Sequence, residues 1–443
     1  MLFKLIPSHF YNRYLHIGHA KAAFLNAHYA KKYKGKLLIR FDDTNPEKEK
    51  AEYIENITRD LATLGIVGDQ VSHTSDHFGT IEKYARKMIK DGNAYMDDST
   101  AEAMKTQRDT RTNPPRRDAT PEENMALFEE LLAGTDKGKT FCLRAKIDMQ
   151  SDNGTMQDPV MFRYKGQDHP KTGKKYKAYP TYDFSCPIVD SIEGVTHALR
   201  TTEYRDRNFQ TRWFVKAMGL RPYNINEYGK LNFAYTVMSK RKLKKFVETG
   251  EVRGWNDPRM PTIQGMLRRG VHLDSLREFI LSQGFSTKVV TMEWDKYWSN
   301  NAKLLDKIAP RYMAISAEAV KFVLSDIDDT PRSLQVALFP KDSSKGFKSK
   351  HISRTLLLEP ADAECVKEGE EITLMRLGNA IVEKIVTADG KVTELHGRLN
   401  PDGDFRKTKL KVTWVAETEF SIPVKLFEFD HIITKKKLDD GKN

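Results

Sequence analysis

Cysteine is scarce. The three residues among 443, Cys142, Cys186 and Cys365, lie far apart, with no C-x-x-C or His-rich spacing. That excludes a disulfide framework and a zinc ribbon, and it suits a reducing compartment. No apolar run approaches the ~20 residues of a membrane span. The opening Met1-Leu2-Phe3-Lys4-Leu5-Ile6 is too short for a signal-peptide core before Pro7 breaks it. A soluble, cytoplasmic chain with no membrane partner is therefore expected. There is also no repeat of fixed period and no long low-complexity segment, which argues against solenoids and linker-dominated chains.

Positive charge is plentiful. Lys and Arg number 73 against 61 Asp and Glu, giving +12, with 30% charged and 39% hydrophobic residues. Such a chain is globular rather than disordered. At ~150 residues per domain its length suits about three domains. The charge fits a polyanionic partner or a merely solvated basic surface, and composition does not choose between them.

Residues 16–34 place Ala20, Ala23, Phe24, Ala27 and Ala30 at helical spacing and end at Gly35, a natural residue past a helix C-terminus. Lys36–Phe41 reads as a short buried strand. Asp42-Asp43-Thr44-Asn45-Pro46 reads as a turn in which Asn45 and Pro46 cap the next helix. Two amphipathic helices follow, ending at Gly65 and Gly92, so the order suggests a doubly wound α/β unit. Beyond Tyr95 the character changes. Thr120, Pro121 and Glu123 open a helix in capping-box style, and Phe141, Leu143, Ala145, Ile147 and Met149 alternate as in a half-buried antiparallel strand. The α/β pattern resumes near Ile188, and a helix-rich stretch runs from about Asn208 to Ala309. Strands then recur with turn signals Asp389-Gly390 and Asp402-Gly403, as in an all-β barrel.

Two stretches carry candidate chemistry. His16-Ile17-Gly18-His19 opens the first helix, where unpaired N–H groups and the positive dipole end favour a triphosphate; taken alone, two capping or surface histidines are the better reading. Met238-Ser239-Lys240-Arg241-Lys242, followed by Lys244 and Lys245, would by itself suit a solvated face or an RNA backbone. Together they resemble the two signature motifs of the class I aminoacyl-tRNA synthetases. Arg40–Pro46, Tyr179–Phe184 and Gly194–His197 are similar to segments shared by the glutamyl and glutaminyl enzymes, and His197–Tyr204 resembles the glutamyl form, of the cytosolic eukaryotic type.

The resemblance implies an α/β fold: a doubly wound Rossmann-type catalytic domain with an inserted α+β acceptor-binding domain, a helical connector and a C-terminal all-β barrel anticodon-binding region. The expected divisions are residues 1–95 and 186–245 for the two catalytic halves, the second with the Met-Ser-Lys loop. Residues 96–185 form the insertion, 246–309 the connector and 310–443 the barrel region. The implied activity is ATP-dependent ligation of L-glutamate to tRNA(Glu) through a glutamyl-adenylate; a glutaminyl enzyme or a catalytically silent tRNA-binding relative remain alternatives. His16, His19 and Lys240 would be catalytic, with Gly18, Met238 and Ser239 completing the ATP site. Asp42, Tyr182 and Arg200 would bind glutamate, and Asp43 would cap the helix after Pro46. Taken without the resemblance, the favoured readings are a helix cap for Asp42, a core aromatic for Tyr182 and a surface pair with Glu203 or Asp206 for Arg200. Mg2+ would accompany ATP, with no dedicated protein metal site. Lys105, Arg108, Arg111, Arg116 and Arg117 would grip the acceptor end. The protein is expected to act as a monomer, alone or in a multi-synthetase complex.

Two departures from the family pattern stand out. Ile6–Arg13 lacks the family's arginine and serine ahead of the first motif and puts Arg13 at its glycine position, so a largely missing opening strand and weak glutamate activation are expected. The barrel region is expected to be truncated and to lack closing strands.

Overall fold

The computed structural model describes residues 1–5, 14–47 and 51–437, with residues 51 and 240 described by backbone alone. The chain folds as two compact units, Met1–Asn301 with Phe429–Asn443, and Ala302–Glu428.

The first unit begins with β1 (Leu2–Leu5), α1 (Ile17–Lys32), β2 (Lys36–Phe41), α2 (Ala51–Thr63), β3 (Gln70–His73) and α3 (Phe78–Lys90). An antiparallel portion interrupts: β4 (Ala94–Asp97), α4 (Ala101–Thr110), α5 (Pro121–Ala133), β5 (Cys142–Ala145), β6 (Val160–Tyr164) and β7 (Ala178–Pro180). Then come α6 (Tyr182–Ile192), β8 (His197–Thr201), α7 (Arg205–Met218) and β9 (Asn224–Tyr228). The parallel sheet has the order β3-β2-β1-β8-β9. Leu37, Leu38, Ile39 and Phe41 of β2 are all buried, as a strand covered on both faces requires.

β1 corrects the expectation of a missing opening strand. Four residues suffice, because they sit mid-sheet with partners on both sides: Leu2 to Leu5 pair in parallel with Lys36 to Ile39, and Phe3 and Lys4 with His197 and Ala198. Gly35 serves this strand rather than the helix end. The left-handed residue past α1 is Lys34 (φ 49°), whereas a Cβ on Gly35 would lie 2.4 Å from the Met1 carbonyl oxygen. The expected cap at Asn45 and Pro46 abuts residues 48–50, outside the described residues. The strand expected over 141–149 is only Cys142–Ala145, and its Arg144 is buried as deeply as its apolar neighbours. The capping box at Thr120 and Glu123 forms as read.

The expected helix-rich stretch also supplies strands. β10 (Leu231–Phe233) pairs with β11 (Val290–Met292) around α8 (Lys240–Glu248), α9 (Ile263–Arg268) and α10 (Leu273–Ser282), before α11 (Trp294–Leu305).

The second unit holds β12 (Val320–Leu324), β13 (Arg332–Ala337), β14 (Phe347–Ile352), β15 (Thr355–Leu358), β16 (Glu371–Leu374), β17 (Gly378–Ala388), β18 (Lys391–Asn400), β19 (Lys411–Val412) and β20 (Trp414–Ala416). Asp389 and Gly390 both take positive φ (50° and 76°), the hairpin turn that matches strand twist. β19 and β20 lie at opposite ends of the seven-stranded order β19-β16-β17-β18-β12-β15-β20, yet one residue, Thr413, separates them along the chain. The sheet therefore curls until its edges nearly meet, contrary to the expected lack of closing strands. The β region does not extend through residue 437 as expected: Phe429 onward packs on the first unit, where Arg269 donates to the Phe429 carbonyl and Tyr235 N–H to that of Lys436.

Candidate active site

The strand order places a crevice. The chain runs outward from β1 through β2 to β3, then returns to the other side of β1 as β8, so the crossovers diverge beyond the carboxyl ends of β1 and β8. A cavity of about 310 Å³ lies there, lined by Lys4 and Leu5 of β1, Leu199 to Thr201 of β8, the start of α1, Tyr182 and Met238.

His16 caps α1. Gly18 N–H donates to its Nδ1 (3.1 Å), and its own N–H donates to Nδ1 of His19 (3.0 Å). With both Nδ1 atoms accepting, each neutral ring carries its proton on Nε2 as a donor. The rings stack with centroids 3.4 Å apart. A Cβ on Gly18 would meet His16 Cε1 at 2.9 Å and Met238 Cε at 3.4 Å. The two candidate stretches, about 220 residues apart, thus share one wall. Ser239 is exposed and stands at the N-cap position of α8, without a side-chain capping hydrogen bond among the described residues; the first residue of α8 is Lys240.

Arg200 is 8% exposed and does not pair on the surface. It donates to Thr211 Oγ1 (3.0 Å), Asn208 Oδ1 (3.3 Å) and Cys186 Sγ (3.7 Å), while Glu203 pairs with Lys230. The other buried arginines each hold a carboxylate: Arg40 pairs with Asp190 (2.5 Å) and Glu193 (2.8 Å), and Arg144 with Asp97 (2.6 Å). Among the described residues Arg200 has no such partner within 4.0 Å. Asp190 is already taken by Arg40 and by Lys4 (2.6 Å). Burial alone would raise the Asp190 carboxyl, but Lys4 and Arg40 outweigh it and hold it below the usual carboxylate range. Three cations thus face two carboxylates beneath the cavity. Burial raises the Tyr182 phenol well above its ordinary value, so it stays protonated.

Asp42 follows β2 and is 1% exposed, but it is not among the residues lining the cavity. Burial, then the neighbouring Asp43, push its carboxyl up to about 7, against the pull of Arg40 and Lys4. The expected cap by Asp43 on the helix after Pro46 would fall on residues 48–50, outside the described residues. The Asp43 carboxylate accepts from Ser75 N–H (2.8 Å) and Oγ (2.6 Å), tying the β2 end to the turn after β3.

Lys21 escaped sequence reading. It lies on the buried face of α1, where its Nζ donates to the Gly229 carbonyl (2.8 Å) at the cavity wall. A lysine within an otherwise small apolar stripe was the available signal. In the antiparallel portion, Arg117 is committed to Asp158 (2.7 Å) and Arg111 to Asp152, leaving Lys105, Arg108 and Arg116 of the expected basic arm.

Residues 11–307 match the family model for tRNA synthetases class I (E and Q), catalytic domain, and residues 309–400 that for the anti-codon binding domain of the same family. The chain is 48% identical over 432 residues to a probable cytoplasmic glutamate–tRNA ligase of Schizosaccharomyces pombe and 46% over 429 residues to the cytoplasmic glutamate–tRNA ligase of Arabidopsis thaliana. It is covered 97% and 96% by these matches but spans 60% of each relative. It is 51% identical over 429 residues, 96% of its length, to the bifunctional glutamate/proline–tRNA ligase of Mus musculus, of which it spans 28%. A glutamate tRNA ligase from Elizabethkingia meningosepticum shares the fold, with a TM-score of 0.52 at 16% identity over 70% of each chain. Both models match in order along one chain, and the chain therefore belongs to the class I tRNA synthetases (E and Q).

Proposed function

We propose that the chain ligates L-glutamate to tRNA(Glu) through a glutamyl-adenylate. One observation carries the choice of amino acid: Arg200 is a buried guanidinium at the cavity wall with only neutral direct partners. An unpaired buried charge is costly, and a ligand carboxylate supplies the missing partner. Glutamine would turn an NH₂ donor toward a donor, which disfavours the glutaminyl alternative.

In the first step a glutamate α-carboxylate oxygen attacks the α-phosphorus of ATP, the bond to the bridging oxygen breaks, and pyrophosphate leaves. A 3′-terminal hydroxyl of tRNA then attacks the acyl carbon, and AMP leaves. His16 and His19 donate from Nε2 to phosphate oxygens at the positive end of α1, and Lys240 meets the developing charge. Asp42, ionised, takes the substrate ammonium, and Tyr182 hydrogen-bonds it. Mg2+ would enter on the ATP phosphates and neutralise their charge. Glu203 is the one carboxylate residue lining the cavity among the described residues, and it is engaged by Lys230, so the ion's protein ligands would be few. Lys105, Arg108 and Arg116 would contact the acceptor end, and the second unit would read the anticodon. The cytoplasm is the proposed compartment, with the chain acting as a monomer or within a multi-synthetase complex.

The test is ATP–pyrophosphate exchange and tRNA charging by the purified chain, with glutamate and with glutamine. Glutamate-dependent exchange and charging are expected, and Lys240→Ala should slow adenylate formation on the order of 100-fold. Binding of tRNA without exchange, even with tRNA added, would make the chain a silent relative.

A further inference from the structure

The second unit carries three cations gathered without an acid. Lys348 and Lys350 project from the same face of β14, two residues apart, and Arg376 comes from the turn after β16. Lys348 donates to the Arg311 carbonyl, and Arg376 to the Ala337 carbonyl (3.1 Å). Lys350 donates to the Met375 carbonyl (3.0 Å) and to Met313 Sδ (2.9 Å). Lys350 Nζ lies 3.5 Å from the ring centre of buried Trp414, and Lys348 Nζ lies 4.4 Å from that of Tyr312, which is 74% exposed. Arg376 holds a left-handed backbone (φ 70°), a strained conformation for a non-glycine residue.

The surroundings of Lys350 supply no compensating charge. On its own strand the charged neighbour is Lys348; opposite, β13 presents Leu334; β20 presents Trp414; the turn after β16 brings Met375 and Arg376. The 311–313 segment brings Arg311, whose guanidinium is already paired with Asp306. Among the described residues none of the three cations has a carboxylate partner. Burial, then Lys348 and Arg376, lower Lys350 to about 7, so near neutrality it is only partly protonated.

We propose that Lys348, Lys350 and Arg376 form a proton-linked grip for an RNA phosphodiester, with the adjacent base stacking on Tyr312. This rests on the tRNA-binding reading of the second unit and adds to it a specific subsite and a pH response. A phosphate placed among the three cations supplies the charge they lack, and Lys350 takes up a proton as the phosphate binds. An exposed aromatic ring beside clustered cations is what an unstacked, single-stranded segment requires, and Tyr312 supplies it.

The experiment measures the affinity of the full chain for a tRNA(Glu) transcript between pH 6 and 8, across a salt series, for the unaltered protein, Lys350→Arg and Lys350→Met. Linkage predicts that the unaltered chain tightens by about tenfold more than Lys350→Arg as pH falls from 8 to 6, because arginine stays charged throughout. Lys350→Met should lose that pH response, and its salt slope should be shallower by roughly 0.7–0.9, the value of one phosphate contact. Identical pH profiles in the unaltered chain and Lys350→Arg overturn the grip, as does equal competition by inorganic phosphate alone at the ionic strength used. Charging of tRNA by the unaltered chain is scored separately: charging with a flat pH profile removes the grip and leaves the parent reading standing, whereas no RNA binding at any pH removes both.

Discussion

His16 and His19 hold each other in one tautomer: His19 Nδ1 accepts from the His16 backbone N–H at 3.0 Å while the two rings stack at 3.4 Å. The arrangement depends on Gly18, whose missing Cβ leaves room for the His16 ring. Gly18→Ala should therefore displace that ring while helping the helix, since alanine favours helix over glycine by roughly 0.5–1 kcal/mol. The expected result is an unchanged or higher melting temperature with adenylate formation slowed on the order of 100-fold. Matching losses of stability and activity would count against it.

Arg200 offers a sharper separation of stability from activity. Replacing it by methionine removes a buried charge that has no direct acidic partner, so folding stability should hold or rise. A glutamate carboxylate left unpaired in the same place should cost about 3–5 kcal/mol. Steady-state kinetics should show kcat/KM for glutamate lowered at least about 100-fold and its advantage over glutamine narrowed. A variant that keeps both would return Arg200 to a structural role.

The raised Asp42 carboxyl sets a pH dependence. It is ionised above about 7 and increasingly protonated below, and only the ionised form can accept from the substrate ammonium without giving up its charge. The value of kcat/KM for glutamate should therefore fall as pH drops through about 7. Asp42→Asn should show a low, flat profile over that range. A profile in the variant that bends as the unaltered enzyme's does would assign the titration elsewhere.

In the antiparallel portion the buried pair of Arg144 and Asp97 predicts a stability effect far from the cavity. Both side chains are fully buried, and Arg144 also donates to the Asp158 carbonyl (2.7 Å). Asp97→Ala leaves an uncompensated guanidinium in the core, so urea unfolding should show a loss of about 3–5 kcal/mol. A loss under about 1 kcal/mol would mean that the arginine finds another partner.

Local chemistry made much of this molecule legible in its sequence. The period of α1, the Thr120 capping box, the Asp389-Gly390 turn and the apolar run of β2 each depend on residues a few positions apart, where side-chain periodicity and turn preference act directly. The two motif stretches were recognisable for the same reason. What tertiary structure alone decided involves charges and distances between remote segments. Leu2 finds Thr196 across 194 residues, so an opening strand forms over Leu2–Leu5 where the sequence suggested a gap. Asp43 ties to Ser75, 32 residues away, because the neighbouring strand end brings a serine into reach. The isolation of Arg200, the raised carboxyl of Asp42 and the acid-free cluster around Lys350 follow from desolvation and from which carboxylates are already taken. Those quantities belong to the packed interior and have no signature in local spacing.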